Sequence, residues 1–138
     1  MRGLQDLWAD TRGAAAVELA LALPVLAGMA ALSFNVWDAA GARERAAVAT
    51  RAAITYYFNG GINDAEAIAI GTEAWSDPPS DARLVVNRVY RCGEAPNAMP
   101  LCPSGAPADT YAALEAKGSS EGLAFSSTFK VTRNVRIR

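Results

Sequence analysis

The chain of 138 residues contains no histidine and only two cysteines. Histidine is the commonest general base and a common metal ligand, so its absence removes much acid–base and metal chemistry from consideration. Two thiols alone give poor support for a structural zinc site. The sequence also lacks a GxSxG elbow, a Walker loop and a dinucleotide-binding glycine motif. We therefore predict a protein that is not an enzyme and that uses no metal or cofactor.

The net charge is also small, because 13 basic and 14 acidic residues leave a formal charge of −1. No global field attracts nucleic acid, and we expect no nucleic-acid partner. Basic residues do cluster in two predicted strands, and we interpret them as a solvated sheet face that discourages edge pairing. The alternatives are a nucleic-acid face and a contact with an acidic patch on a neighbouring protein. The basic residues are Arg83, Arg88, Arg91, Lys130, Arg133, Arg136 and Arg138.

What the sequence does contain is a long apolar run, residues 19–37, with nineteen consecutive uncharged residues. This is close to the roughly 20 residues that cross the hydrocarbon layer of a membrane as a helix. Membrane helices tolerate a proline such as Pro24, and Trp37 suits the membrane interface. A cleaved secretory signal has a shorter apolar run and a basic leader, which this chain lacks. We predict a membrane-spanning helix.

The helix is expected to continue beyond the membrane, because the following segment is rich in alanine up to Phe58. Gly60 and Gly61 then supply a stop. A helix over residues 14–58 would be about 67 Å long at 1.5 Å per residue. Its second half carries apolar residues that another element must cover, among them Ala40, Ala47, Val48, Ile54 and Tyr57.

The remaining residues, 60–138, predict a small α+β domain. Asn63 or Asp64 can cap a short helix, and the prolines of SDPPSDA end it. RLVVNRVYRC predicts a strand, and alternation in LAFSSTFKVTRNVRIR predicts another that pairs antiparallel beside it. Between them, DTYAALEAKG predicts a short helix with Asp109 as cap and Gly118 as stop. The expected fold is α+β: a long N-terminal helix packed on a small antiparallel sheet, with one or two short helices.

Cys92 and Cys102 are separated by nine residues and follow the membrane segment. This arrangement fits one disulfide in an oxidising compartment. The alternative is two reduced thiols in a cytoplasmic domain.

A single acid, Glu18, stands at the edge of the apolar run. A charge at the centre of a membrane helix costs about 3 kcal/mol, and less toward the ends. Glu18 could reach back to the lipid headgroups. Alternatively, cleavage between Gly13 and Ala14 would create a new amine that pairs with Glu18 of a neighbouring subunit. Such pairing would neutralise both buried charges and fix the axial register of the subunits.

The segment RGAAAVELALALP resembles the start of the TadE-like minor pilins, or pseudopilins, of bacterial tight-adherence (Tad) pili, a branch of the type IV pilus superfamily. The shared pattern is a short polar leader, Arg-Gly, small residues, a glutamate five positions after the cut, and an apolar helix with an early proline. Leu19 replaces the family's usual aromatic. The residues that match the pattern are Arg12, Gly13, Ala14, Val17, Glu18 and Pro24. The resemblance covers about residues 10–50.

The resemblance implies a cytoplasmic leader (1–13) removed by prepilin peptidase, a transmembrane half (14–37), a periplasmic helical half (38–59) and a periplasmic domain (60–138). The implied partners are that peptidase, other pilins and the inner-membrane assembly platform. The implied location is the inner membrane, or the assembled pilus. Arginine counts on the two sides of the span do not favour this orientation, with Arg2 and Arg12 before it and Arg43, Arg45 and Arg51 after it.

Two alternatives stay open. Pseudopilins of type II secretion systems usually have an aromatic at the first mature position, where this chain has the small Ala14. An uncleaved single-pass anchor whose outer domain binds a partner is the other.

Overall fold

The computed structural model describes the backbone of residues 11–137 and the side chains of residues 15–137. It confirms the α+β fold: over residues 11–137, two helices precede a four-stranded antiparallel sheet of order β2-β1-β3-β4. Residues 1–10 of the predicted leader, and Arg138, lie outside the described residues. The elements are α1 (Thr11–Phe58), α2 (Asp64–Glu73), β1 (Arg83–Cys92), β2 (Ala95–Asn97), β3 (Asp109–Glu121) and β4 (Ser126–Arg136).

Helix α1 has 48 residues and is about 72 Å long at 1.5 Å per residue. It continues through Pro24, and it ends at the predicted glycines, where Gly60 adopts a φ of 88°. This left-handed conformation is easy only for a residue without a Cβ atom. Helix α2 is capped by Asn63, whose side chain accepts a hydrogen bond of 3.0 Å from the backbone N–H of Ala65.

The sheet covers the second half of α1 along a stripe of alanines, Ala42, Ala46, Ala49 and Ala53, all buried. Their spacing of three and four residues places them on one side of the helix. The sequence-based prediction of the covered face was therefore only partly right: Tyr57 is buried, but Val48 is 46% exposed. The small side chains let the helix lie close to the sheet.

Residues 109–118 do not form the predicted helix and instead make up most of β3. This strand lies between β1 and β4, so those two strands are not neighbours as the sequence suggested. Every second residue, Ala112, Leu114 and Ala116, is fully buried on the side that faces α1. Hydrogen bonds to two flanking strands, together with this burial, override the helix propensity of alanine, leucine, glutamate and lysine.

Candidate functional site

The first half of α1 lies apart from the rest of the protein. Between residues 15 and 37, every residue is exposed except Ala31, which is half-buried, and Asn35, which is buried. The helix is long and apolar enough to cross a membrane, and none of its most apolar stretch is buried inside the protein. Exposing such a surface to water costs about 25 cal/mol per Å². This half of α1 is therefore a candidate membrane anchor.

Glu18 lies on this exposed half, near its start. Within residues 15–137, no side chain forms a hydrogen bond or an ion pair with it. Gly13 and Ala14 belong to the first turn of α1, but their surroundings lie outside the described residues. The geometry leaves Glu18 open to a partner from outside the chain.

The β3–β4 hairpin is hydrogen-bonded to α1 where the exposed half of the helix ends. The side-chain oxygen of Asn35 accepts a hydrogen bond of 3.2 Å from the backbone N–H of Ala124, in the turn between β3 and β4. One turn further on, the hydroxyl of Ser120 donates a hydrogen bond of 2.6 Å to Asp38. A Cβ atom at Gly122 would collide with the Asn35 side chain, so only glycine allows this approach.

Sequence reasoning did not single out Asn35, although an amide within an uncharged apolar run is a signal. A buried polar side chain is costly unless it is hydrogen-bonded, and here the hairpin provides that partner. The contact fixes the sheet to α1 at the end of the apolar half.

An ion pair fastens α2 to the sheet. Arg88 donates hydrogen bonds of 2.9 Å and 2.5 Å to the two carboxylate oxygens of Asp64 and one of 2.9 Å to the carbonyl of Ile62. The hydrogen bonds from Arg88 lower the pKa of the Asp64 carboxyl despite partial burial, and Tyr57 adds to this effect. Partial burial, with the hydrogen bond to Asp64, raises the pKa of the Tyr57 hydroxyl. Asp64 is therefore held in its charged form.

Asp64→Asn is expected to weaken the acid sensitivity of folding. The pKa of Asp64 is lower in the folded chain than in the unfolded one, so its contribution to stability is present above about pH 4 and is lost as the pH falls through the folded pKa. The free energy of unfolding of the full chain, measured in detergent between pH 3 and pH 7, should fall less steeply in the variant.

The matched control is Glu94→Gln, which alters an exposed carboxylate in the turn between β1 and β2. It should keep the acid sensitivity of the unmodified chain. Asp81 and Glu115 also have lowered pKa values. Asp64→Asn should therefore reduce, but not abolish, the slope of the unfolding free energy against pH. An unchanged slope in Asp64→Asn would contradict the assignment.

Cys92 and Cys102 form a disulfide with their Cα atoms 5.7 Å apart, the pairing that the sequence favours over two reduced thiols. It closes the loop that follows β1, and this loop contains the short strand β2. Closing a loop of this length stabilises a fold by about 2–3 kcal/mol in the chain-entropy treatment. The disulfide therefore stabilises the end of the sheet opposite the β3–β4 turn.

Carboxylates offset part of the positive charge on the sheet. Glu115 forms ion pairs with Lys117 and Lys130, which lower the pKa of its carboxyl. Nη2 of Arg136 lies 2.5 Å from Oδ1 of Asp109. Arg88 does not belong to the predicted solvated face, because it lies on the helix side of the sheet and pairs with Asp64 of α2. A solvated, partly neutralised face remains our interpretation of the other basic residues of the strands.

Among the residues whose side chains the structure describes, no three histidine, cysteine, aspartate or glutamate residues are grouped so that they could hold a metal ion. The arrangement instead offers a long apolar surface, one acid on that surface, and a domain fixed at its end. No family model, curated protein or solved structure matches the chain.

Proposed function

We propose that this protein is a minor pilin, or pseudopilin, that takes part in the assembly of a Tad pilus for surface adhesion. The observation that carries the proposal is the division of one unbroken helix into two halves. The first half is apolar and exposed and bears Glu18, whereas the second is covered by an antiparallel sheet. Such a first half can leave the bilayer only if other apolar helices surround it.

In this proposal, prepilin peptidase cleaves between Gly13 and Ala14, and the mature chain stays in the inner membrane with its disulfide-bonded domain in the periplasm. The new amine of one subunit then pairs with Glu18 of another pilin. Neutralising two charges that are costly in an apolar environment favours the correct register over shifted ones. The partners are other pilins and the inner-membrane assembly platform, and the protein is a substrate of the peptidase.

The mature N-terminus tests the proposal. Mass spectrometry of the protein from its native host should show a chain that begins at Ala14, and a strain without prepilin peptidase should retain residues 1–13. Gly13→Val should block cleavage almost completely, because a branched side chain fills the position next to the cut bond. Ala16→Val, three residues beyond the cut bond, is the matched control and should be cleaved normally. A working protein that keeps its leader would favour the uncleaved single-pass anchor instead.

A further inference from the structure

An open cavity of about 500 Å³ lies where the candidate membrane span ends, between α1 and the β3–β4 turn. Its apolar wall includes Phe34 and Trp37 of α1 and Leu123 of the turn, which are 56%, 74% and 81% exposed. These side chains extend the apolar surface of the candidate anchor to the cavity without a break. Aromatic residues at this position are typical of the membrane–water interface.

Two buried hydrogen-bond donors among the residues lining the cavity have no partner within the described part of the chain. Asn35 is only 2% exposed, and its amide nitrogen Nδ2 forms no hydrogen bond although its oxygen is bound by the turn. The Nε atom of Arg45 is likewise buried without a partner. Leaving a buried donor unsatisfied costs about 1–3 kcal/mol, and an acceptor from outside the chain, a water molecule or a ligand, removes that cost.

The guanidinium of Arg45 is directed toward the membrane end of α1. Helical side chains lean toward the N-terminus of their helix, and a Cβ atom built on Gly41 would lie 3.4 Å from Nη1 of Arg45. The positive group therefore lies beside Gly41, one turn closer to the apolar half than its own Cα atom. An anion at the membrane surface would meet it there.

Two carboxylates, those of Asp38 and Glu121, complete the polar wall of the cavity. With Arg45, they place one positive and two negative groups around the same space. A ligand that carries only a negative charge would bind Arg45 but would be repelled by both acids. A ligand that carries a phosphate and an ammonium group satisfies all three.

We infer that this cavity binds the headgroup of a phospholipid that carries both a phosphate and a primary ammonium group. Arg45 donates to the phosphate, Asp38 and Glu121 accept from the ammonium group, and the acyl chains follow Phe34 down the apolar half of α1. The inference rests on the membrane anchor within the proposed function, but it needs neither cleavage at Gly13 nor assembly of a fibre.

The test is native mass spectrometry of the full chain, purified in detergent and titrated with dioleoyl phosphatidylethanolamine or dioleoyl phosphatidylglycerol. The ethanolamine lipid should bind more tightly. Arg45→Gln should weaken its binding about tenfold, as expected for the loss of a charged hydrogen bond. Arg43→Gln is the matched control, because Arg43 is an exposed cation at nearly the same height on α1 that does not line the cavity.

Glu121→Gln supplies a second measurement, since this exposed residue at the end of β3 can change without loss of buried contacts. It should reduce the preference for the ethanolamine lipid over the glycerol lipid. Equal binding of the two lipids, or equal weakening by Arg43→Gln and Arg45→Gln, would overturn the inference. Competition by inorganic phosphate as effective as that by the lipid would show a free-anion site and would also overturn it. A chain that binds the lipid but keeps residues 1–13 would contradict only the proposed function.

Discussion

Glu18→Gln is expected to leave the protein in the membrane and to reduce pilus output at least about tenfold. Removing the charge lowers the cost of insertion, so the anchor itself is not weakened. In the assembled state, however, the amine of a neighbouring Ala14 would lose its counter-charge. Removing one partner of a buried ion pair costs about 3–5 kcal/mol, which is more than a tenfold change in an equilibrium constant. Shed pili and membrane-fraction protein should be quantified together.

Two further variants make this test specific. Glu18→Asp keeps the carboxylate and should restore much of the output. Ser33→Ala removes a polar group from the same exposed half, where the hydroxyl donates only to the carbonyl of Met29 in its own helix. It should behave like the unmodified protein. Normal piliation with Glu18→Gln would refute the pairing, and equal losses in Glu18→Gln and Ser33→Ala would show that polarity, not charge, matters.

Leu114→Ala is expected to lower the free energy of unfolding by about 3–5 kcal/mol, the upper part of the range for a large-to-small change in a core. Leu114 has no exposed surface and lies in the central strand β3, in one cluster with Ala53 and Tyr57 of α1. Three of the five other buried residues in this cluster are alanines held by the helices and the sheet, so their short side chains cannot fill the space. Chemical denaturation of the full chain, followed by fluorescence, measures the change.

Val89→Ala is the control for this prediction. Val89 lies on the adjacent strand β1 and is 38% exposed on the outer face of the sheet. The same assay should show a change of less than about 1 kcal/mol. If the two variants lose the same stability, the core does not lie between α1 and the sheet.

Local patterns explain which elements could be predicted from the sequence. Helix α1, the cap at Asn63 and the strand β1 carry strong signals in composition, capping residues and valine content. The strand β3 does not, because a strand packed closely against an alanine stripe needs small residues such as Ala112 and Ala116. These are the residues that favour a helix when the chain is considered locally. The error at β3 also led to the wrong pairing of β1 with β4.

The candidate site likewise contains one residue that the sequence signals and others that only the fold reveals. Glu18 is conspicuous in the sequence because it interrupts an apolar pattern, but its proposed partner belongs to another molecule. Asn35 and Ser120 were missed because their importance depends on a hairpin that returns to the helix more than eighty residues later in the chain. No local pattern reports a contact of that separation.

The unbroken course of α1 has a geometric consequence for any assembly. Because one continuous helix joins the two halves, rotating the apolar half about its axis turns the sheet with it. Successive residues of an α-helix are about 100° apart around the axis, so Glu18 and Asn35 project in directions roughly a quarter-turn from each other. Asn35 faces the sheet, so Glu18 points about a quarter-turn away from the side of α1 that the sheet covers. In an ordered array held together through Glu18, the sheet of every copy would therefore have the same orientation relative to that contact.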